Sequence, residues 1–200
     1  MSKVLVTESY LTDIGNAIRS KNGGSTRYKP SEMAAAINNI KTQDNTAVNG
    51  IIDRTISGNY TKNEARSVGK NAFAFCSNLK TVTMGNATEI STNAFYYCPG
   101  LTSANFPNVK TVYSSAFNSS GLTSITFNKL VTLGSNRDYY GIFEYTPMTS
   151  ISIPSTIQTI GLYAFSSSSV ETITVNRRAG AISGAPWGAT NATVNWTGTN

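Results

Sequence analysis

The sequence predicts a mainly β fold, a solenoid of about five 22-residue coils with caps, preceded by a small α-helical hairpin. Three observations support this prediction. A phenylalanine recurs at a nearly constant interval, a strand-like segment follows each copy, and helical spacing of apolar residues is confined to the start of the chain. Charged residues make up 13% of the chain, and Ser, Thr, Asn and Gly are abundant, as is typical of short strands and turns.

Residues 1–45 are predicted to form the helical hairpin. In YLTDIGNAIRSKNGG, Ile14 and Ile18 fall on one face and a glycine pair ends the segment. In KPSEMAAAINNI, Pro30 stands at a first helical position. Helices of about 11 residues do not persist alone in water, so we expect their apolar faces to pack on each other or on another subunit. A polar segment, KTQDNTAVNG, then leads into the second domain, residues 46–200.

Five copies of a repeat define the predicted solenoid. Its recurring phenylalanines are separated by 22, 22, 26 and 22 residues, and they are Phe73, Phe95, Phe117, Phe143 and Phe165. An apolar anchor follows each phenylalanine: Leu79, Leu101, Leu122, Met148 and Val170. Each anchor is followed by a strand with two inward positions: Val82 and Met84, Ala104 and Phe106, Ile125 and Phe127, Ile151 and Ile153, Ile173 and Val175. Stacked coils align equivalent residues into internal ladders, which a single coil cannot bury alone.

The segments that flank the repeats are predicted to be caps. Residues 46–67 lack the repeat pattern and form the expected N-terminal cap. Residues 177–200 form the expected C-terminal cap, in which Trp187 and Trp196 shield a sheet end that would otherwise pair with another chain.

Charge and composition argue against several functional classes. The net charge of +6 is spread along the chain, so no nucleic-acid partner is expected. The N-terminus lacks the apolar run of a secretory signal, and no segment has the length of a membrane span, so we expect synthesis in a cytoplasm and no membrane insertion. Histidine is absent and there are two cysteines, so neither a metal site nor a cofactor is expected.

Four side chains that could be catalytic or form a disulfide have a simpler interpretation. Asp138 and Glu144, six residues apart, are the nearest approach to a glycosidase pair, but solvated surface carboxylates are favoured and no catalytic residue is predicted. Cys76 and Cys98 occupy one repeat position, so stacking would bring them within disulfide range. Buried thiols are favoured for a protein assembled in a reducing compartment.

The repeats VGKNAFAFCSNLKTVTM and ISTNAFYYCPGLTSANF resemble the BspA-like, or Treponema-type, leucine-rich repeat. The resemblance covers about residues 68–176 and implies a leucine-rich-repeat solenoid. The chain departs from the pattern at Ser120, near the usual cysteine, and at Gly141-Ile142, where an alanine is usual. The N-terminal segment also resembles the helical hairpin of tail and fibre proteins of phages that infect Gram-positive bacteria. The ending GAPWGATNATVNW is similar to endings of such virion proteins.

Repeat four contains an insertion of four residues, which lengthens one interval to 26 residues. This insertion and a column of aromatic residues supply the candidate ligand-binding residues. The insertion has to protrude, because Leu133 and Phe143 on either side must both occupy internal ladders. Tyrosines offer flat amphipathic faces with few rotors to immobilise, and an arginine fork binds carboxylate or phosphate. An alternative stays open, in which the rings only cover the coil edges. The candidates are Arg137, Asp138, Tyr139, Tyr140, Tyr97 and Tyr145.

The resemblances imply a non-enzymatic bacteriophage virion protein of the tail tip or fibre, a receptor-binding protein located in the virion. Residues 1–45 would attach to other virion proteins, and a homo-oligomer is expected. The solenoid would bind a host cell-surface glycan or protein. The alternatives are a capsid-decorating head fibre, a bacterial surface adhesin and a wall-degrading enzyme.

Overall fold

A computed structural model describes residues 47–48, 54, 56–135 and 139–199. The chain divides after Asn45, and all of these residues belong to the second unit, Thr46–Asn200. The predicted helical hairpin, residues 1–45, lies outside the described residues. Within them, every regular element is a β-strand, so the mainly β class is confirmed for this part of the chain.

Twelve short strands form the described unit. They are β1 (Ala47–Val48), β2 (Gly58–Thr61), β3 (Ser67–Val68), β4 (Leu79–Thr83), β5 (Glu89–Ile90), β6 (Ser103–Asn105), β7 (Thr111–Val112), β8 (Thr132–Leu133), β9 (Ser150–Ile153), β10 (Thr159–Ile160), β11 (Thr172–Val175) and β12 (Thr193–Trp196). Short strands separated by turns follow from a sequence in which Ser, Thr, Asn and Gly punctuate every apolar pair.

The strands form parallel sheets on two sides of a solenoid. One sheet has six strands in the order β1-β3-β5-β7-β8-β10. Two three-stranded sheets, β2-β4-β6 and β12-β11-β9, are joined by single bridges from Thr126 to Asn105 and to Ser152. Pairing joins equivalent positions of successive coils, such as Val82 with Ala104. The 22-residue period of the sequence therefore appears in space as one coil.

A ladder of stacked phenylalanine rings fills the interior between the sheets. Rings at the five repeat positions stack with centroid separations of 5.0, 5.3, 5.7 and 5.8 Å and interplanar angles of 13° or less. Each of the five is fully buried. The predicted anchors and inward strand positions are all buried as well, so the predicted inside face is confirmed.

The solenoid has about six turns, whereas the sequence predicted about five. Trp187 lies 22 residues after Phe165, is fully buried, and continues the ring ladder with a centroid separation of 6.5 Å. Strand β12 pairs in register with β11. The segment expected only to close the stack therefore forms a further turn, in which an indole tilted by 58° to the Phe165 ring extends the ladder. Trp196 packs edge-on against Trp187 at 6.0 Å and covers the end of the ladder.

The insertion leaves the ladders intact, as predicted. Phe143 follows Leu133 by ten positions, whereas in the next coil Phe165 follows Ile160 by five. Both Leu133 and Phe143 are fully buried. The described tyrosines of the longer segment are exposed, Tyr139 by 82% and Tyr140 by 65%.

A column of thiols and hydroxyls lies three residues after each ladder phenylalanine. Cys76 and Cys98 are buried and form no disulfide, in agreement with the favoured interpretation. The Cys98 thiol donates to the carbonyl oxygen of Phe73 at 3.0 Å, and burial raises the pKa of Cys98 to about 12, so this thiol is a packing group. Thr146 donates to the carbonyl of Phe143 at 2.7 Å. Ser120, in the same column, has a buried hydroxyl without a partner.

No helix among the described residues has the length and apolar character needed to cross a membrane.

We expect Leu101→Ala to lower the free energy of unfolding by about 2–5 kcal/mol, because removing a fully buried side chain leaves a cavity in the ladder. Lys80→Ala is the matched control, since Lys80 is exposed on strand β4 and its truncation should cost less than about 0.5 kcal/mol. Chemical denaturation of the two variants measures both values. Equal losses would contradict the assignment of the inside and outside faces.

Candidate ligand-binding groove

A left-handed backbone position recurs two residues after each ladder phenylalanine. These five residues, called here the turn column, have φ values between 50° and 65°: Phe75, Tyr97, Ser119, Tyr145 and Ser167. Residues other than glycine pay roughly 1–2 kcal/mol in this conformation. Hydrogen bonds between coils hold it: the Tyr97 amide donates to the Asn118 carbonyl at 2.9 Å, and the Ser119 amide donates to the Glu144 carbonyl at 2.7 Å. The same turn therefore repeats on every coil, whatever its side chain.

A groove lies where the turn column lacks a ring. The coils are numbered by their ladder phenylalanines, from Phe73 in coil one to Phe165 in coil five. Tyr97 and Tyr145 carry exposed rings on coils two and four, whereas coil three between them has Ser119. The resulting groove has a volume of about 610 Å³. Its lining residues are Lys70, Thr92, Asn93, Tyr96, Tyr97, Ser114, Ser115, Asn118, Ser119, Tyr140, Glu144 and Tyr145. Small side chains in the segment SSAFNSSG of coil three leave this space open.

The floor of the groove is polar and ordered by hydrogen bonds. Asn118 is 6% exposed; its Nδ2 donates to Glu144 Oε2 at 2.7 Å, and its Oδ1 accepts from Ser119 Oγ at 2.8 Å. Ser115 is also buried beside it. A buried amide that is fixed in this way presents defined hydrogen-bonding directions to whatever enters the groove.

One wall of the groove belongs to a cluster of aromatic rings. The rings of Tyr96 and Tyr97 lie 6.4 Å apart, and Phe75 lies 5.5 Å from Tyr96 and 5.8 Å from Tyr97. The Arg54 guanidinium stacks over Phe75 at 5.2 Å. A smaller cavity of about 280 Å³ adjoins this wall and shares Asn93 and Tyr96 with the groove. The exposed aromatic surface therefore extends along the first coils beyond the groove.

Tyr140 and Tyr145 form the opposite wall. They are 65% and 68% exposed, so their rings are available to a ligand. The backbone carbonyl of Tyr140 accepts a hydrogen bond from Ser114 Oγ at 3.2 Å, which ties this end of the insertion to coil three. Two tyrosines from coil two thus face two tyrosines from coil four across the serines of coil three.

The lining of the groove carries one charge of each sign. Lys70 supplies a cation at the exposed edge, and Glu144 supplies a half-buried carboxylate on the floor. No cluster of three His, Cys, Asp or Glu side chains suited to a metal ion occurs among the described residues.

The structure brings three of the six predicted site residues to one place. Tyr97, Tyr140 and Tyr145 all line the groove, although they come from coils two and four. Tyr139 is more exposed and does not contribute to the lining. Arg137 and Asp138 lie outside the described residues. The binding role of all six remains a prediction.

The sequence reasoning missed Tyr96, Asn118 and Ser119, and it weighed Glu144 only as a catalytic group. Tyr96, Asn118 and Glu144 all stand one position after a ladder phenylalanine, so aligning the repeats would have placed them in one column. The decisive signal was Ser119, because the coils on either side of it have tyrosine at the same position of the repeat.

A second groove, of about 560 Å³, lies on the last coils and contains Gln158, Asn176 and Arg177. The Arg177 guanidinium already donates to the carbonyl of Ile157 at 2.6 Å. No aromatic side chain lines this groove, so it offers fewer means of recognition than the tyrosine-lined one.

The repeat pattern also identifies the family. A model of the BspA type leucine rich repeat region matches the chain in six copies, over residues 55–168 and 139–185. The chain belongs to this family. The BspA-type match extends in both directions beyond the resemblance seen at residues 68–176.

Comparison with solved structures finds a similar leucine-rich repeat protein. The BspA-type chain is similar to the crystal structure of a leucine-rich repeat protein from Bacteroides ovatus ATCC 8483, with 16% sequence identity and a TM-score of 0.42. The similarity covers 64% of this chain and 45% of that protein, so the chain spans less than half of its length. The curated proteins contain no match to the sequence.

We expect Tyr145→Gly to be about 1 kcal/mol more stable than Tyr145→Ala, because both variants lose the ring but glycine adopts the left-handed conformation without strain. Tyr113 provides the control, since it is also an exposed tyrosine but does not have a positive φ. There the order should reverse, with the glycine variant less stable than the alanine variant. Denaturation midpoints of the four variants test the left-handed turn, and the same order at both positions would refute it.

Proposed function

We propose that the chain is a non-enzymatic bacteriophage virion protein of the tail tip or fibre type, whose BspA-type solenoid binds the host cell surface through the tyrosine-lined groove. The groove between coils two and four is the observation that supports the binding role. Ligand sites are concave, lined by aromatic rings, and carry a few fixed polar groups, and this groove has all three features.

The rigidity of the solenoid suits a protein that binds at a surface. The ring ladder and the hydrogen bonds between coils fix the spacing of Tyr97 and Tyr145, so little order has to be created on binding. A tail-tip or fibre protein must present such a surface outward while another part attaches it to the particle. We assign attachment to residues 1–45, together with assembly into a homo-oligomer, on the basis of their resemblance to phage tail and fibre proteins.

The chemistry of the groove supports binding rather than hydrolysis. A glycosidase needs two carboxyl groups that flank the bond it cleaves. Of the described lining residues, Glu144 alone is a carboxylate, and its Oε2 accepts a hydrogen bond from Asn118. A carboxylate engaged in this way positions a neighbouring amide and can accept a further hydrogen bond from a ligand.

Imaging of an intact phage particle with an antibody or tag on this chain tests the virion role. We expect density at the distal end of the tail. Label on the head would support the capsid-decorating alternative, and absence from purified particles would support a bacterial surface adhesin. Either result would reject the tail-tip or fibre assignment.

We expect Tyr139→Ala combined with Tyr140→Ala to weaken attachment to host cells by at least about tenfold while leaving the melting temperature nearly unchanged, because both rings are largely exposed. Tyr163→Ala is the control, since Tyr163 is an exposed tyrosine that does not line the groove. Flow cytometry with the labelled chain measures attachment, and differential scanning calorimetry measures stability. Normal attachment by the folded double variant would place the binding surface elsewhere, and a large loss of stability would show that the tyrosines are packing residues.

A further inference from the structure

We propose that the ligand of the groove is an uncharged glycan, one sugar ring of which occupies the gap above Ser119 between Tyr97 and Tyr145. This inference rests on the proposed host-binding function and specifies the chemistry of its ligand. Four observations support it: the width of the gap, the backbone amides that are already hydrogen-bonded, the polar side chains on the floor, and the charges of the groove lining.

The gap has the width of one ring. Ladder rings of coils two and three lie 5.3 Å apart, and those of coils three and four lie 5.7 Å apart. Turn-column residues on coils two and four are therefore separated by two coil spacings, on the order of 10 Å. A flat group between two others needs roughly 7–8 Å, at about 3.5–4 Å for each carbon contact. One sugar ring fits this interval with clearance on both faces, whereas two stacked rings would need roughly 10.5–12 Å, which is all of the interval or more.

The backbone around the gap is not available to a peptide strand. An extended peptide binds by adding main-chain hydrogen bonds to an open sheet edge. Here the amides of Tyr97, Ser119 and Tyr145 all donate to carbonyls of the next coil, at 2.9, 2.7 and 3.0 Å. Hydrogen-bond donors to a ligand at these three positions must therefore come from side chains.

The side chains on the floor suit hydroxyl groups. Glu144 accepts one hydrogen bond from Asn118 and, as a carboxylate, has further lone pairs that need donors. Asn118 Nδ2 has two hydrogens, one of which is directed to Glu144. A ligand group beside this pair has to donate to the carboxylate and accept from the amide, and a sugar hydroxyl does both. The tyrosine rings on the walls offer apolar faces to the C–H faces of the sugar.

The charges favour an uncharged glycan over an anionic polymer. The chain has a net charge of +6, yet the groove lining carries one cation, Lys70, and one carboxylate, Glu144. Because Glu144 lies on the floor and Lys70 at the edge, an anionic sugar in the gap would meet the carboxylate at closer range than the lysine.

The repeat itself offers a substitution that closes the gap. Ser119→Tyr places a ring where coils two and four already carry tyrosine, at φ values of 53° and 56° that match the 56° of Ser119. The variant is therefore expected to fold. Ser167→Tyr adds the same ring at the turn-column position of coil five, outside the groove lining, and is the matched control.

The experiment measures binding of the full chain and of the Ser119→Tyr and Ser167→Tyr variants to cell walls of the propagating host. The walls are used untreated, treated with protease, treated with acid to remove anionic wall polymers, or oxidised with periodate to cleave vicinal diols. We expect wild-type binding to survive protease and acid and to fall at least tenfold after periodate. Ser119→Tyr should lose at least tenfold on untreated walls, while Ser167→Tyr binds within about twofold of wild type. Equal melting temperatures of the two tyrosine variants verify folding.

Each other result has a distinct meaning. Loss of binding after protease treatment would identify a protein ligand, and loss after acid would identify an anionic polymer. Either result overturns the uncharged glycan, and the host-binding function survives if Ser119→Tyr still abolishes binding. Normal binding by Ser119→Tyr would show that the ligand does not bind in the gap. Failure of the wild-type chain to bind untreated walls would reject the host-binding function itself.

Discussion

The stack of phenylalanine rings is the interaction on which the rest of the described structure depends. Rings that lie nearly parallel at 5.0 to 5.8 Å set the distance from one coil to the next and bury the largest apolar side chains of the repeat. Because each coil buries its apolar face only against its neighbours, stability is shared along the stack rather than held in one central core. Tyr60 at one end and the Trp187 and Trp196 pair at the other close the ladder with rings that differ from phenylalanine. The ends can therefore depart from the repeat while the interior keeps its spacing.

The same stacking explains how a groove arises on a regular surface. The turn column has a left-handed backbone on five successive coils, so its side chains stand in a row with a common spacing. In such a row, a change from a large to a small residue removes volume without altering the backbone. Ser119 between Tyr97 and Tyr145 is a change of this kind, and Asn118 next to Glu144 makes the floor polar. Specificity in a repeat protein can thus arise from one irregular copy, while the regular copies maintain the scaffold.

The insertion in coil four acts differently. Leu133 and Phe143 remain fully buried, so the longer segment does not disturb the ladders, and the hydrogen bond from Ser114 to the carbonyl of Tyr140 ties part of it to coil three. The insertion adds an exposed tyrosine to one wall of the groove at no cost to the core. Such a loop changes the surface and leaves the interior unchanged, so a binding site can vary while the fold is retained.

The sequence by itself determined the mainly β class, the period of the coil, the inward residues and the protruding position of the insertion. These features depend on local spacing, because an apolar residue that recurs every 22 positions can be buried only if the coils stack. The sequence did not reveal that Trp187 continues the ladder, since an indole in place of a phenyl ring, in a segment without the repeat pattern, resembles the start of a cap. Nor did it identify the groove, although Tyr97 and Tyr145 were singled out. The tertiary structure decided that point, because a gap is a property of three neighbouring coils: Ser119 is unremarkable in its own repeat and defines a site only between two tyrosines that stacking brings to either side of it.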